Sequence, residues 1–217
     1  MPKVTSSDIK RYGEDEMAKR IGGPSTLEER LWSLASMSPY GGKVIEAIAA
    51  RDPYLLRTYM TPTRDEIREF CVDALGVRSS TLLSLLSATR CYLHYFFRGD
   101  EDREVHNHPF ERSVSLILTG GYREHRWVPQ HQRFDVKDKL PGNFNYIRRN
   151  DFHRVTLFDN QGCWTLFTTI GRAMPSNGQD WHFLDTTTGE MIPWGQWDSR
   201  KASPVWRAVG ANRNDHT

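Results

Sequence analysis

The chain has 217 residues, 38% of them hydrophobic and 12% aromatic, which is enough for one sizeable core or a core with a helical appendage. The formal charge is only +2, and no basic stripe interleaved with aromatics stands out, which argues against a nucleic-acid partner. The N-terminal stretch MPKVTSSDIKRYGEDEMAKR lacks the apolar segment of a signal peptide, and no apolar run approaches the roughly eighteen residues of a membrane span. A soluble, cytoplasmic chain with no membrane partner is therefore expected. Three cysteines, Cys71, Cys91 and Cys163, with no CxxC pair, point to reduced, buried thiols and away from a disulfide scaffold or zinc ribbon.

The first eighty residues have helical periodicity. The segment before Ser25 is either a helix with a weak apolar face or a partly ordered arm. A capping box follows, formed by Ser25 with Glu28 or by Thr26 with Glu29, and Leu27, Leu31 and Leu34 recur at helical spacing. Ser38 to Gly42 ends that helix. Val44, Ile45, Ile48 and Ala49 predict a short second helix, stopped by Asp52-Pro53. Thr63 to Glu66 is another capping box, with Ile67, Phe70, Cys71 and Leu75 as its stripe and Gly76 at its end.

After Gly76 the period shortens. Leu82 to Leu86 is a candidate strand, and Arg90 to Phe97 reads as an aromatic one. Arg98 to Glu104 reads as a charged, solvated loop. Ser113 to Thr119 and Tyr122 to Val128 are strands joined at Gly120-Gly121. Gln130 to Lys139 is a hairpin tip or an edge strand. Pro141-Gly142 leads into Asn143 to Arg148. Arg154 to Phe158 is expected to pair with Cys163 to Ile170, and Trp181 to Asp185 with Glu190 to Ile192. Many short strands in about 110 residues suggest a sandwich or small barrel. From Asp198 the tail is polar and basic.

Chemistry concentrates in VHNHPFERSVSLILTGGYRE, Val105 to Glu124. His106 and His108, one residue apart, share a face if this is a strand. A third histidine, His153, lies beyond the Gly-Gly turn. Three imidazoles from two strands can hold one transition metal and leave positions open for water, oxygen or substrate.

These residues resemble the first motif of the cupin superfamily, His-x-His, then three or four residues, Glu, six residues and Gly. Here His106-Asn107-His108 is followed by Ser113 in the Glu place and Gly120 six residues on. The second motif, Pro-x-Gly, two residues, His, keeps only His153. The order HNHP, GGY, FHRV, TLF, WHF also resembles an uncharacterised group of bacterial and phage cupins. The resemblance covers roughly residues 88 to 192. The helical start makes the whole chain α+β: a helical N-terminal region (1–80) packed on what the resemblance implies is a single cupin double-stranded β-helix, or jelly-roll, barrel (81–197), followed by a polar tail (198–217).

Ser113 in place of Glu implies a site of three histidines only. That set is similar to the one in the thiol dioxygenases, such as cysteine dioxygenase. The likeness extends to His153-Arg154-Val155 and to the hairpin from Trp181 to Gly189. It stops at the stretch Thr165 to Thr169, which lacks that family's Ser-x-His-x-Tyr, and at Ser79 to Ser87, which lacks its substrate-holding Arg. Arg90 is the nearby substitute and shares parity with His94.

The metal ligands are thus expected to be His106, His108 and His153, with Arg90 and Ser113 as candidate catalytic residues. Fe(II) is the expected metal, with Zn, Ni, Mn or Cu as alternatives. The partners are a small, anionic substrate and O2, and the family resemblance allows a homodimer paired through strand edges. The function implied is a mononuclear non-haem Fe(II) dioxygenase-like enzyme. The alternative is a cupin ligand-binding or sensing module, metal-bound or metal-free, without oxygenase activity. Ser113, Ser115 and Ile117 are expected on the ligand face, opposite Thr165, Phe167 and Thr169. A solvated strand charge is favoured for Glu124, a hydrogen-bonded core position for His94, structural pairing for Arg154 and the surface for His125 and His131. Glu111 is expected to point away from the metal. Arg98, Arg112, Arg123 and Arg172 are further candidates for an anion.

Overall fold

The computed structural model describes residues 3–20, 23–46, 52–62, 66, 69, 72–73, 89–100, 104–158, 162–171, 181–193 and 196. Among them the protein is mostly β, with two antiparallel sheets and two helices that are followed end to end. Helix α1 spans Ser6–Ala18 and α2 Thr26–Ser36. The segment left open between helix and arm is helical because Thr5 and Asp8 close a capping box. Asp8 N–H donates to Thr5 Oγ1 at 3.3 Å and Thr5 N–H to Asp8 Oδ2 at 2.9 Å. Of the two candidate boxes at α2, the one that forms is Ser25 with Glu28. The buried face of α2 is Leu31, Trp32 and Ala35, while Leu27 and Leu34 are exposed. Trp32 sets that face by packing over Gly13 of α1, where a Cβ would lie 2.9 Å from its ring.

Val44 and Ile45, expected to open a short helix, are in a strand instead. Gly42–Glu46 is strand β2, between β1 (Lys3–Val4) and β3 (Pro53–Tyr59). The β-branched pair Val44-Ile45 fits either period, and pairing with β3 decided it over Gly42–Glu46. Residues 47–50 lie outside the described part. So do the capping residues 63–65, the run Leu82 to Leu86, Cys71, Arg172 and the tail. Glu66, Glu69, Val72 and Asp73 are helical, inside the third expected helix.

The remaining strands are β4 (Thr89–Phe96), β5 (Val105–His106), β6 (Arg112–Thr119), β7 (Tyr122–Val128), β8 (Arg133–Lys139), β9 (Phe144–Arg148), β10 (His153–Leu157), β11 (Cys163–Ile170), β12 (His182–Leu184) and β13 (Met191–Pro193). One sheet has the order β1-β2-β3-β4-β11-β6-β9, the other β13-β12-β5-β10-β7-β8. Strand β8 is an edge strand, and β12 pairs with β13 as expected. The expected hairpin of β10 with β11 is not made. Strand β10 lies between β5 and β7, and β11 between β4 and β6, so the chain passes from one sheet to the other. All five residues of β10 are buried, and both of its edges are already paired. The loop expected to be solvated also departs from the reading, since Asp100 and Glu104 are buried. Asp100 is compensated by hydrogen bonds from Tyr54 Oη at 2.7 Å and Val155 N–H at 2.8 Å.

Strand β4 shows how the first sheet is used. Leu93 and Tyr95 point to the helices, where they form a core with Ile9, Leu31, Trp32, Ala35 and Trp164. His94 and Phe96 point the other way, into a cavity.

Candidate metal centre

The three histidines reach one point from different supports. His106 ends β5 and pairs directly across from His153, the first residue of β10. His108 is not on the strand with His106, because the strand stops there. Asn107, between them, is tied to β12 instead. Its N–H donates to the His182 carbonyl at 3.1 Å, and its Oδ1 accepts from His182 N–H at 2.7 Å. This lock on β12 delivers His108 to the same spot. The ligating nitrogens of His106, His108 and His153 lie within 4.8 Å of one another, and the Nε2 atoms of His108 and His153 are 2.9 Å apart. Ligand nitrogens about 2.1 Å from one tetrahedral ion are about 3.4 Å apart, so the widest pair must close by up to about 1.4 Å. The donor set can hold a single divalent transition metal once the imidazoles rotate toward one another.

Behind His153 sits Glu124, which is 2% exposed and not the solvated charge expected. Its Oε1 accepts from His153 Nδ1 at 2.9 Å, Asn145 Nδ2 at 2.9 Å and Arg126 Nη2 at 2.9 Å. Burial pushes this carboxyl up, but the hydrogen bond and charge of His153 and the Arg126 guanidinium outweigh it and hold it well below the usual carboxylate range. With Nδ1 turned to the carboxylate, the nitrogen of His153 that faces the centre is Nε2.

The imidazoles open onto a cavity of about 100 Å³ whose walls are largely apolar, including Phe96, Phe110, Ile147, Val155 and Phe167. Its polar lining is Tyr54, Asp100, Ser115, Tyr122, His94 and one guanidinium, Arg57. Arg57 Nε donates to His94 Nε2 at 3.0 Å, which puts the His94 proton on Nδ1. His94 stacks on Phe167 with ring centroids 4.8 Å apart. Burial first, then the charges of Arg57 and His108, hold His94 neutral, well below its ordinary value. His108 is likewise held down by burial and by His153 and Arg57, despite Glu124.

The other expected residues fall as follows. Ser113 is buried on β6 across from Ile147 and Thr169, and Arg90 is half-buried on β4 across from Thr169. Neither is among the described residues that line the cavity; Ser115 and Phe167 are. Thr165 and Thr169 are buried, Glu111, Arg112 and Arg123 are exposed, and Arg154 is buried. His131 is exposed and His125 half-buried. One residue, Arg57, escaped the sequence reading, and Glu124, which could turn inward as a late ligand or a base, was assigned to solvent. Arg57 lay in a stretch with no assigned element, although PYLLRTY carries a single charge in an otherwise apolar or hydroxyl-bearing run. Glu124 shares parity with Tyr122, which follows the Gly-Gly turn and faces inward, and that parity was its signal.

No family model and no curated protein matches the chain. Among solved structures it is similar to the DMSP lyases RdDddP and RnDddQII, with a TM-score of 0.47 and 12% identity over 80% of this chain and 77% of that one. It is similar to FeII HppE with a TM-score of 0.40 and 9% identity over 61% and 58% of the two chains. It is similar to recombinant oxalate oxidase in complex with glycolate with a TM-score of 0.33 and 11% identity over 39% and 42%. The chain spans less than two thirds of the last two proteins. Likeness this distant says nothing of chemistry. The fold and site define a two-sheet β protein with a three-histidine group that can hold a metal. Among the described residues no helix is long and apolar enough to cross a membrane.

Proposed function

We propose that this chain is a cupin-like mononuclear metalloenzyme that oxidises a small anionic metabolite with O2 in a dioxygenase-like reaction. Its three ligands are His106, His108 and His153. The observation that carries the reading is their convergence on a mostly apolar cavity of about 100 Å³ lined by one guanidinium. Three imidazoles suit zinc, copper, nickel and iron alike, and Fe(II) is preferred here because it would supply the redox chemistry with O2 that the proposed reaction needs.

The chain's own residues supply the rest. Three neutral imidazoles leave the metal's charge uncancelled, which favours an anionic substrate. Arg57 receives that anion, and neutral His94 holds the Arg57 fork in place through Nε. Phe110, Ile147 and Phe167 exclude water, and the small volume limits the substrate to a few heavy atoms. Tyr122 and Ser115 add hydroxyls at the wall.

The test is metal analysis of protein purified without added metal, followed by O2 uptake with Fe(II) across a panel of thiols and carboxylates. Metal near one equivalent, lost in His106→Ala and His153→Ala, together with substrate-dependent O2 uptake, is expected. Metal content unchanged by both substitutions overturns the centre. Bound metal that never consumes O2 overturns the oxidase reading and leaves a binding module.

A further inference from the structure

We propose that Glu124 is a positioning residue of this centre. It fixes the tautomer and ring orientation of His153, and it is fixed in turn by Arg126 and Asn145. The inference rests on the reading of the three histidines as ligands and adds a support that acts through one of them.

The geometry is specific. Strand β7 lies beside β10 with Val155 across from Glu124 and His153 across from Arg126, so Glu124 and His153 are diagonal neighbours. One carboxylate oxygen collects three donors from three strands: His153 of β10, Asn145 of β9 and Arg126 of β7 itself. Asn145 is fully buried, and its Oδ1 accepts from Arg126 Nη2 at 3.1 Å. The same Nη2 donates to the Tyr146 carbonyl at 2.9 Å, and Nη1 reaches Asp151 Oδ2 at 3.4 Å, two residues before His153. Asp151 in turn accepts from Arg148 N–H at 2.9 Å. The brace therefore holds β7, β9 and the approach to β10 in one hydrogen-bonded set around the imidazole.

A surface ion pair of Glu124 with Arg126 would need none of this. Burying a carboxylate is costly unless each lone pair is met, and the donor aimed at it from the cavity side is an imidazole N–H. A carboxylate on the far nitrogen orients a ligating histidine and raises the basicity of the near one.

The test uses Glu124→Gln, which keeps the shape without the charge, Glu124→Ala, and Glu111→Gln as an exposed control. Co(II) affinity is read by chelator competition, thermal midpoint by circular dichroism, and the His153 tautomer by nitrogen NMR of metal-free protein. Glu124→Ala is expected to weaken Co(II) binding about 10- to 100-fold, Glu124→Gln by less, and Glu111→Gln hardly at all. In wild type the His153 proton sits on Nδ1, and in Glu124→Ala it moves to Nε2 or divides between the two. If Glu124→Ala fails to fold, Glu124→Gln and the wild-type tautomer decide. Wild-type affinity in both Glu124 variants, or a wild-type proton on Nε2, overturns the proposal. A wild type that binds no Co(II) removes the three-histidine centre itself, and the tautomer alone then decides whether Glu124 positions His153.

Discussion

The two faces of one sheet do different work in this protein. Toward the helices, Trp32, Tyr95 and Trp164 pack with ring centroids 4.7 to 5.0 Å apart in a hydrophobic core, at whose edge Tyr95 Oη donates to Glu16 at 3.0 Å. Toward the second sheet, the same strands present His94, Arg57 and Phe167 to a cavity that ends in three imidazoles. Alternate residues of β4 therefore answer to different requirements, dry packing on one side and charge placement on the other. The lesson is that stability and chemistry are separable here by residue parity, and the separation can be attacked from either side.

The largest effect is expected on the helix face. Trp164→Ala removes a fully buried indole and should cost about 3–5 kcal/mol in chemical denaturation. The folded fraction should keep its metal-to-protein ratio. Loss of metal at unchanged stability would show that the two faces are not independent.

The cavity face should reveal itself through pH. The folded His94 and His108 are held below their ordinary value of 6.5, so below that pH the unfolded chain takes up protons that the folded one refuses. Stability should therefore fall as pH drops from about 7.5 to 5.5, and His94→Phe should flatten that fall in part. Glu124 adds a second loss at lower pH, since its depressed folded value gives stability present above about 4.5 that disappears as the pH falls further. Urea midpoints at four or five pH values measure both stages, and a flat profile would refute the charge placement. Smallest of all, Asp138→Asn, at an exposed pair with Arg123, should leave the midpoint unmoved because solvent screens that pair.

Much of the site was legible because its chemistry is local in sequence. His106 and His108 flank a single residue, and His153 follows beyond a Gly-Gly turn, so their spacing and the motif they resemble nominated them. Glycine at position 120 was legible too. It sits at φ 71°, and a Cβ there would approach the Gly162 carbonyl oxygen to 2.5 Å. Strands β4, β6, β7, β9 and β11 were legible as short runs between turn residues, β4 through its aromatic content. Helix α1 was left open because its mean polarity hid a capping box of Thr5 with Asp8.

What failed was everything set by a distant partner. Val44-Ile45 became a strand because β3 was there to pair with it. Strands β10 and β11 went to different sheets because neighbours beyond the local window had already filled their edges. Glu124 looked like a surface charge because its three donors come from residues 126, 145 and 153. Arg57 looked like nothing because the cavity it lines is closed by residues nearly a hundred positions away. The order of residues along the chain determined the periods, the caps, the turn glycines and the three imidazoles, all short-range consequences of sterics and hydrogen bonding. Which charges are buried, and which strand meets which, was decided only by tertiary structure, because desolvation and pairing depend on neighbours that no local stretch contains.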